Sequence, residues 1–143
     1  MTAKEYLGQY LRLKHSIHDL MEERQRWQNL ALRITPSYSA DPKASGTGAG
    51  RIQTSIEQIE EWELQLSAKI EEQLKIRKEI ERTISLVGNQ DYQTLLRMRY
   101  IMGYTWERIA EEMHYGSKWI FKMHRKALDA FEKAVERDLN SVI

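Results

Sequence analysis

The sequence predicts an all-α protein made of a long helical hairpin followed by a small three-helix domain. Two long stretches place apolar residues at alternating steps of three and four, which is the repeat of a coiled-coil seam. Both prolines lie in the short segment between these stretches. Beyond Gly88 the pattern changes to shorter helical segments separated by turn residues. We therefore predict that residues 1–88 form the hairpin and that residues 89–143 form a second domain.

The first helix is predicted over about residues 3–34. One polar residue, Arg24, interrupts its seam, and a polar side chain at such a position sets register and oligomeric state more often than it performs chemistry. The apolar positions of this seam are Tyr6, Tyr10, Leu13, Ile17, Leu20, Trp27, Ala31 and Ile34.

Residues 35–50 are predicted to form a loop between the two long helices. Their sequence, TPSYSADPKASGTGAG, combines both prolines with glycine, serine and aspartate, which favour turns over helix interiors. The glycines of SGTGAG do not follow a predicted strand and lack the lysine of a phosphate-binding loop. We interpret this segment as a linker.

The second helix is predicted over residues 51–87, and it carries the polar residues Glu63, Gln73 and Arg77 at or near its seam. Neither long helix can bury its apolar stripe alone. The sequence therefore predicts an antiparallel hairpin that forms a homodimer. The apolar positions of the second seam are Ile52, Ile56, Ile59, Leu66, Ile70, Leu74, Ile80, Ile84 and Val87.

Residues 89–143 are predicted to contain a helix-turn-helix. Asn89 or Asp91 suits the start of the first helix, Thr105 suits the N-cap of the second, and a longer helix follows the turn HYG. We expect Tyr115 to plug that turn. The positions with the spacing of buried helix-turn-helix residues are Ile109, Ala110, Met113, Tyr115, Ile120 and Met123.

The outward side of the final helix is predicted to bind DNA. Lysine and arginine suit phosphates and guanine edges, and the helix start at Thr105 offers backbone N–H groups to a phosphate. Exposed Trp119 and Phe121 beside the cations favour an interface, although both could instead pack against the long helices. An ordinary basic surface helix is the other interpretation. The predicted DNA-contacting residues are Thr105, Ser117, Lys118, Trp119, Phe121, Lys122, Arg125 and Lys126.

Several other functions are not expected. The chain has no cysteine, which excludes disulfides, thiolate nucleophiles and cysteine-based zinc sites. His15 and His18 lie one helical turn apart but have no set of further ligands at metal-binding spacing. No nucleophile with a partner base is recognisable, so we expect no enzyme activity, no cofactor and no metal. No apolar run approaches the roughly 20 residues that span a bilayer, so we expect a cytoplasmic protein without a membrane partner.

The segment LLRMRYIMGYTWERIAEEMHYGSKWIFKMHRKAL resembles region 4 of bacterial sigma factors. Across the whole chain, the order MTAKEYLGQY, ITPSYS, a long helix and this segment is similar to small phage and prophage proteins of Gram-positive bacteria, close in design to ArpU-type late-gene regulators. The resemblance implies a phage transcription regulator that binds double-stranded DNA, and it leaves contact with RNA polymerase open.

The sequence departs from the sigma-factor pattern at two positions of the turn. His114 stands where a glycine is usual, and Gly116 stands at an N-cap position where serine or threonine is usual. The sigma-factor regions that open DNA and hold the core polymerase are not recognisable, so a complete sigma factor is not expected. A small-terminase-like DNA-packaging subunit and a coiled-coil protein-interaction module remain alternatives.

Overall fold

The protein is all-α, as predicted. The structure, a computed structural model, describes the backbone of residues 1–37 and 42–142 and the side chains of residues 1–32, 53, 54 and 56–141. These ranges contain no strand. Their helices are α1 (Ala3–Leu7), α2 (Gln9–Ser37), α3 (Pro42–Ser85), α4 (Gln90–Tyr100), α5 (Trp106–Met113) and α6 (Ser117–Val142). In this part of the chain, no helix is both long enough and apolar enough to cross a membrane.

A break at Gly8 divides the first predicted helix into α1 and α2. The start of α1 is closed by a capping box in which the Thr2 and Glu5 side chains each accept a hydrogen bond from the other residue's backbone N–H. At its other end, the Arg12 guanidinium donates to the Glu5 carbonyl at 2.8 Å. These contacts tie the short helix to the beginning of α2.

The connection between α2 and α3 is shorter than the predicted loop at residues 35–50. Helix α2 continues to Ser37 and α3 begins at Pro42, while residues 38–41 lie outside the described range. Proline is well suited to the first position of a helix because its missing N–H would have no partner there. Glycine costs only about 1 kcal/mol per residue in a helix, so three glycines do not by themselves end α3. At its other end, α3 stops at Ser85, before the predicted end at residue 87.

The chain divides into two compact units. One comprises Met1–Arg12 and Gln73–Ile143, and the other comprises Leu13–Glu72. The first unit therefore crosses the boundary predicted near Gly88, because the end of α3 packs into the same core as the C-terminal helices. The fully buried members of that core are Leu7, Ile80, Ile84, Val87, Leu95, Leu96, Ile109, Ile120, Ala127 and Phe131.

Helix α6 is central to the first unit, where it packs against α1, α4 and α5. Phe131 is 2% exposed and its ring centroid lies 5.9 Å from that of Tyr6, so the start of the chain is attached to the second half of α6. The Tyr6 hydroxyl has a raised pKa because it is partly buried and lies near the Glu79 carboxylate.

In the second unit, α2 and α3 are joined by polar as well as apolar contacts. The Arg24 guanidinium lies 3.0 Å from the Glu63 carboxylate, so two of the polar residues predicted at seam positions form an ion pair. Ile17 and Leu20 are buried, whereas Met21 and Ile56 remain 52% and 41% exposed. Two helices alone thus leave part of the apolar surface of this unit uncovered.

Candidate nucleic-acid interface

Helices α5 and α6 are joined by the turn of three residues from His114 to Gly116, whose geometry is fixed by local hydrogen bonds. Thr105 caps α5 as predicted, since its hydroxyl accepts from the Arg108 N–H at 3.2 Å. His114 adopts the left-handed conformation with φ 59°, which is the conformation that makes glycine the usual residue at this position. The Tyr115 N–H donates to the Ala110 carbonyl at 3.0 Å and closes the turn.

The inward side of the two helices largely follows the predicted spacing. Ile109, Ile120 and Met123 are buried, and Ala110 and Met113 are half-buried.

The expectation that Tyr115 plugs the turn is wrong. Its side chain is 39% exposed, and its ring centroid lies 6.4 Å from that of Trp119. The two residues are four positions apart, so the tyrosine ring extends along α6 while its backbone closes the turn.

The outward side of α6 carries a cluster of cations, which we call the basic face: Lys118, Lys122, Arg125 and Lys126. These four residues are exposed, and together with Phe121 they line a shallow groove that has no acidic side chain. Within the described residues, none of the four forms an ion pair. Asp91 lines a neighbouring depression with Lys122 and Lys126 but forms an ion pair with neither, so the basic face keeps an excess of positive charge suited to a polyanion.

Phe121 lies at one edge of the basic face and is supported from α5. Its ring is 44% exposed, and its centroid lies 5.4 Å from that of Trp106. The Arg99 guanidinium lies 4.3 Å from the Trp106 ring centroid and donates to the Tyr104 carbonyl at 3.0 Å. The aromatic partner of Phe121 is thus supplied by α5 rather than by the long helices considered from the sequence.

Trp119 lies at the other edge of the basic face. It is 46% exposed, and the ammonium groups of Lys122 and Lys126 lie 6.0 and 5.8 Å from the centroid of its ring. At 3.6 residues per turn, Trp119 and Phe121 point roughly 160° apart around α6. The basic face is therefore a strip of cations between two half-exposed aromatic side chains.

Thr105 is the N-cap of α5 and Ser117 is the first residue of α6, and both are exposed. The Thr105 hydroxyl is occupied as the cap of its own helix. Because the next residue, Trp106, packs on Phe121, the start of α5 borders one edge of the basic face. The structure thus brings the four predicted cations and Phe121 to one groove, with Trp119 beside Lys122 and Lys126. Ser117 instead lines a separate depression together with Glu107 and Glu111.

A buried polar pair lies behind this surface. His124 is 8% exposed, and its Nε2 atom lies 2.7 Å from the Tyr100 hydroxyl. Burial, together with the charges of Lys4 and Arg99, lowers the pKa of His124 from its ordinary 6.5 to about 4. At neutral pH the imidazole is therefore uncharged and serves to pack and hydrogen-bond the core.

This pair gives an expected pH dependence of stability. Because the unfolded chain binds a proton at His124 near pH 6.5 and the folded chain only near pH 4, the free energy of unfolding should fall as pH is lowered through this window. His124→Gln keeps a hydrogen-bonding side chain but cannot titrate, so its stability should vary less over the same window. Denaturant unfolding of both proteins between pH 4 and 7 tests this, and parallel pH profiles would contradict it.

Elsewhere on the described surface, ionisable side chains form separate pairs. His18 lies 3.0 Å from the Glu22 carboxylate on α2, and the Arg82 guanidinium lies 3.1 Å from the Asp138 carboxylate in a pocket between α3 and α6. Among the described residues, no group of three or more histidine, aspartate or glutamate side chains is placed to hold a metal ion.

Fold and site together define an all-α protein whose most distinctive surface is a basic helix face flanked by aromatic residues. The family model described as protein of unknown function (DUF1492) matches residues 36–132, which is more than half of the chain, and the chain belongs to this family. The match extends through α4 and α5 and includes the basic face. Comparisons with curated proteins and with solved structures give no match.

Proposed function

We propose that the protein is a sequence-specific, double-stranded-DNA-binding transcription regulator of phage or prophage origin. In this proposal α5, the turn and α6 form a helix-turn-helix, and α6 enters the major groove. The observation that carries the proposal is the basic face, where four exposed cations lie together and none forms an ion pair with a described residue.

The packing of α5 and α6 supports the helix-turn-helix. The turn is short, and Ile109 and Ile120 on either side of it are fully buried, so the two helices are held together by a common core. An α-helix with its side chains is about 10–12 Å wide, which matches the roughly 12 Å width of the major groove of B-DNA.

The side chains of the basic face have distinct expected roles. Arg125 can form two parallel hydrogen bonds with a guanine edge or a phosphate, whereas Lys118 and Lys122 offer point charges to phosphates or to guanine O6 and N7. Lys126 and Ser117 lie at the flanks, and the N–H groups at the start of α5 beside Thr105 suit a phosphate. Trp119 and Phe121 lie on opposite edges of the basic face and offer apolar surface to the DNA.

The long helices are proposed to form a hairpin that joins two copies of the protein. The Arg24–Glu63 ion pair links α2 to α3, and a short connection between two helices is typical of antiparallel neighbours. Ile56 and Met21 are exposed on this unit, and a second hairpin would remove such side chains from water. Two recognition helices could then bind half-sites about one helical turn apart. RNA polymerase is a further partner compatible with a cytoplasmic regulator.

Selection of bound sequences from a random duplex pool at physiological salt, combined with the mass of the protein in solution, tests the proposal. We expect an enriched motif with twofold symmetry and the mass of a dimer. Recovery of sequences no different from the starting pool would contradict sequence-specific binding. A closed ring of many subunits would favour a DNA-packaging subunit, and protein capture without a DNA shift at low salt would favour an interaction module.

A further inference from the structure

We propose that Phe121 recognises the 5-methyl group of thymine, so that the protein distinguishes thymine from uracil at one base pair of each half-site. This inference rests on the proposed DNA binding. It adds to that proposal the chemical group on the DNA that the Phe121 side chain contacts. Three observations carry it: the exposure of the ring, its support by Trp106, and the chemistry of its surroundings.

The Phe121 ring is held in place before any ligand binds. One side of it packs on Trp106, whose own ring lies 4.6 Å from that of His124 and 4.3 Å from the Arg99 guanidinium. His124 in turn is hydrogen-bonded to the Tyr100 hydroxyl. A side chain that is already ordered loses little conformational entropy on binding, so its contact contributes more of its free energy to affinity.

The exposed part of the ring is the apolar feature of an otherwise cationic surface. Lys118 and Arg125 are three and four residues from Phe121 and share its side of α6, and Lys122, the next residue, lines the same groove. Polar base edges pressed against a phenyl ring would lose hydrogen bonds to water without replacement. The thymine methyl is the apolar group that the major groove presents, and uracil differs from thymine only in lacking it.

Trp119 does not share this arrangement and provides a matched control. Its ring is flanked by Tyr115 and by the ammonium groups of two lysines, Lys122 and Lys126. An aromatic ring beside two cations suits the sugar-phosphate wall of the groove, where thymine and uracil are the same. Replacing Trp119 should weaken binding to both bases alike.

The test uses duplexes that the full-length protein selects from a random pool. Each is synthesised with thymine and again with uracil at every enriched thymine in turn, and both forms are titrated with the wild-type protein, Phe121→Ala and Trp119→Ala. We expect the wild-type protein to bind the thymine form about fourfold more tightly at one position, the factor that corresponds to about 0.8 kcal/mol for a buried CH₂ group. Phe121→Ala should bring that ratio close to one, whereas Trp119→Ala should preserve it.

The outcomes separate this inference from the proposed function. If the wild-type protein selects a motif but binds its thymine and uracil forms equally, or selects a motif without thymine, thymine reading is overturned and DNA binding stands. A ratio that persists in Phe121→Ala overturns the assignment to Phe121. If the protein selects no sequence, both proposals fail. Denaturant unfolding of each variant verifies that it is folded, so that a lost ratio is not the result of a lost structure.

Discussion

Replacing Lys122 and Arg125 together by alanine is expected to lower the affinity of the protein for its selected DNA at least about 30-fold. Each direct contact with a base edge is worth about 1–3 kcal/mol, and both cations belong to the basic face. Where the lost contact is to a phosphate, the slope of log affinity against log salt should become shallower by roughly 0.9 for each phosphate. Titration of labelled duplex at several salt concentrations measures both quantities.

The matched control is Lys133→Ala with Arg137→Ala. These substitutions also remove one lysine and one arginine from α6, and both residues are exposed on the second half of that helix. Affinity should change little, because a distant charge on the surface contributes only a screened attraction. Undiminished affinity in the Lys122 and Arg125 variant would refute DNA binding by the basic face, and an equal loss in both variants would point to net charge alone.

Phe131→Ala is expected to destabilise the protein by about 3–5 kcal/mol, the cost of removing a buried phenyl ring from a core. The side chain is 2% exposed, and its ring pairs with that of Tyr6, so the substitution removes both core packing and the attachment of α1. The free energy of unfolding from denaturant titration measures the loss.

The chain provides its own comparison, because its other phenylalanine, Phe121, lies on the same helix and is 44% exposed. Phe121→Ala should cost much less, because the ring it removes is half in water and leaves no enclosed cavity. The loss in the free energy of unfolding for Phe131→Leu should lie between the losses for the two alanine variants. Equal losses for the two alanine variants would show that the second half of α6 is not part of the core.

The features predicted best from the sequence depend on neighbouring residues. Thr105 was identifiable as an N-cap because a hydroxyl before a helical segment has few other structural uses, and Asn89 caps α4 in the same way. The start of α6 at Ser117 follows from the turn before it. Such signals act over three or four residues, so they do not depend on the tertiary structure around them.

The features that sequence reasoning missed depend on residues far apart in the chain. The support of Phe121 by Trp106 and Arg99 joins three helices, and no local pattern marks it. The packing of Tyr6 against Phe131 attaches the start of the chain to the core of the C-terminal helices. Periodicity indicated that these positions face inward or outward but could not indicate which partner they meet.

The length of helix α6 connects two distant parts of the first unit. Its 26 residues form one uninterrupted helix that includes both the basic face and Phe131, which contacts Tyr6. At 1.5 Å per residue, Lys118 and Phe131 are about 20 Å apart on one stiff rod. Because the helix is continuous between these points, a change in its orientation where α1 attaches would also change the orientation of the basic face.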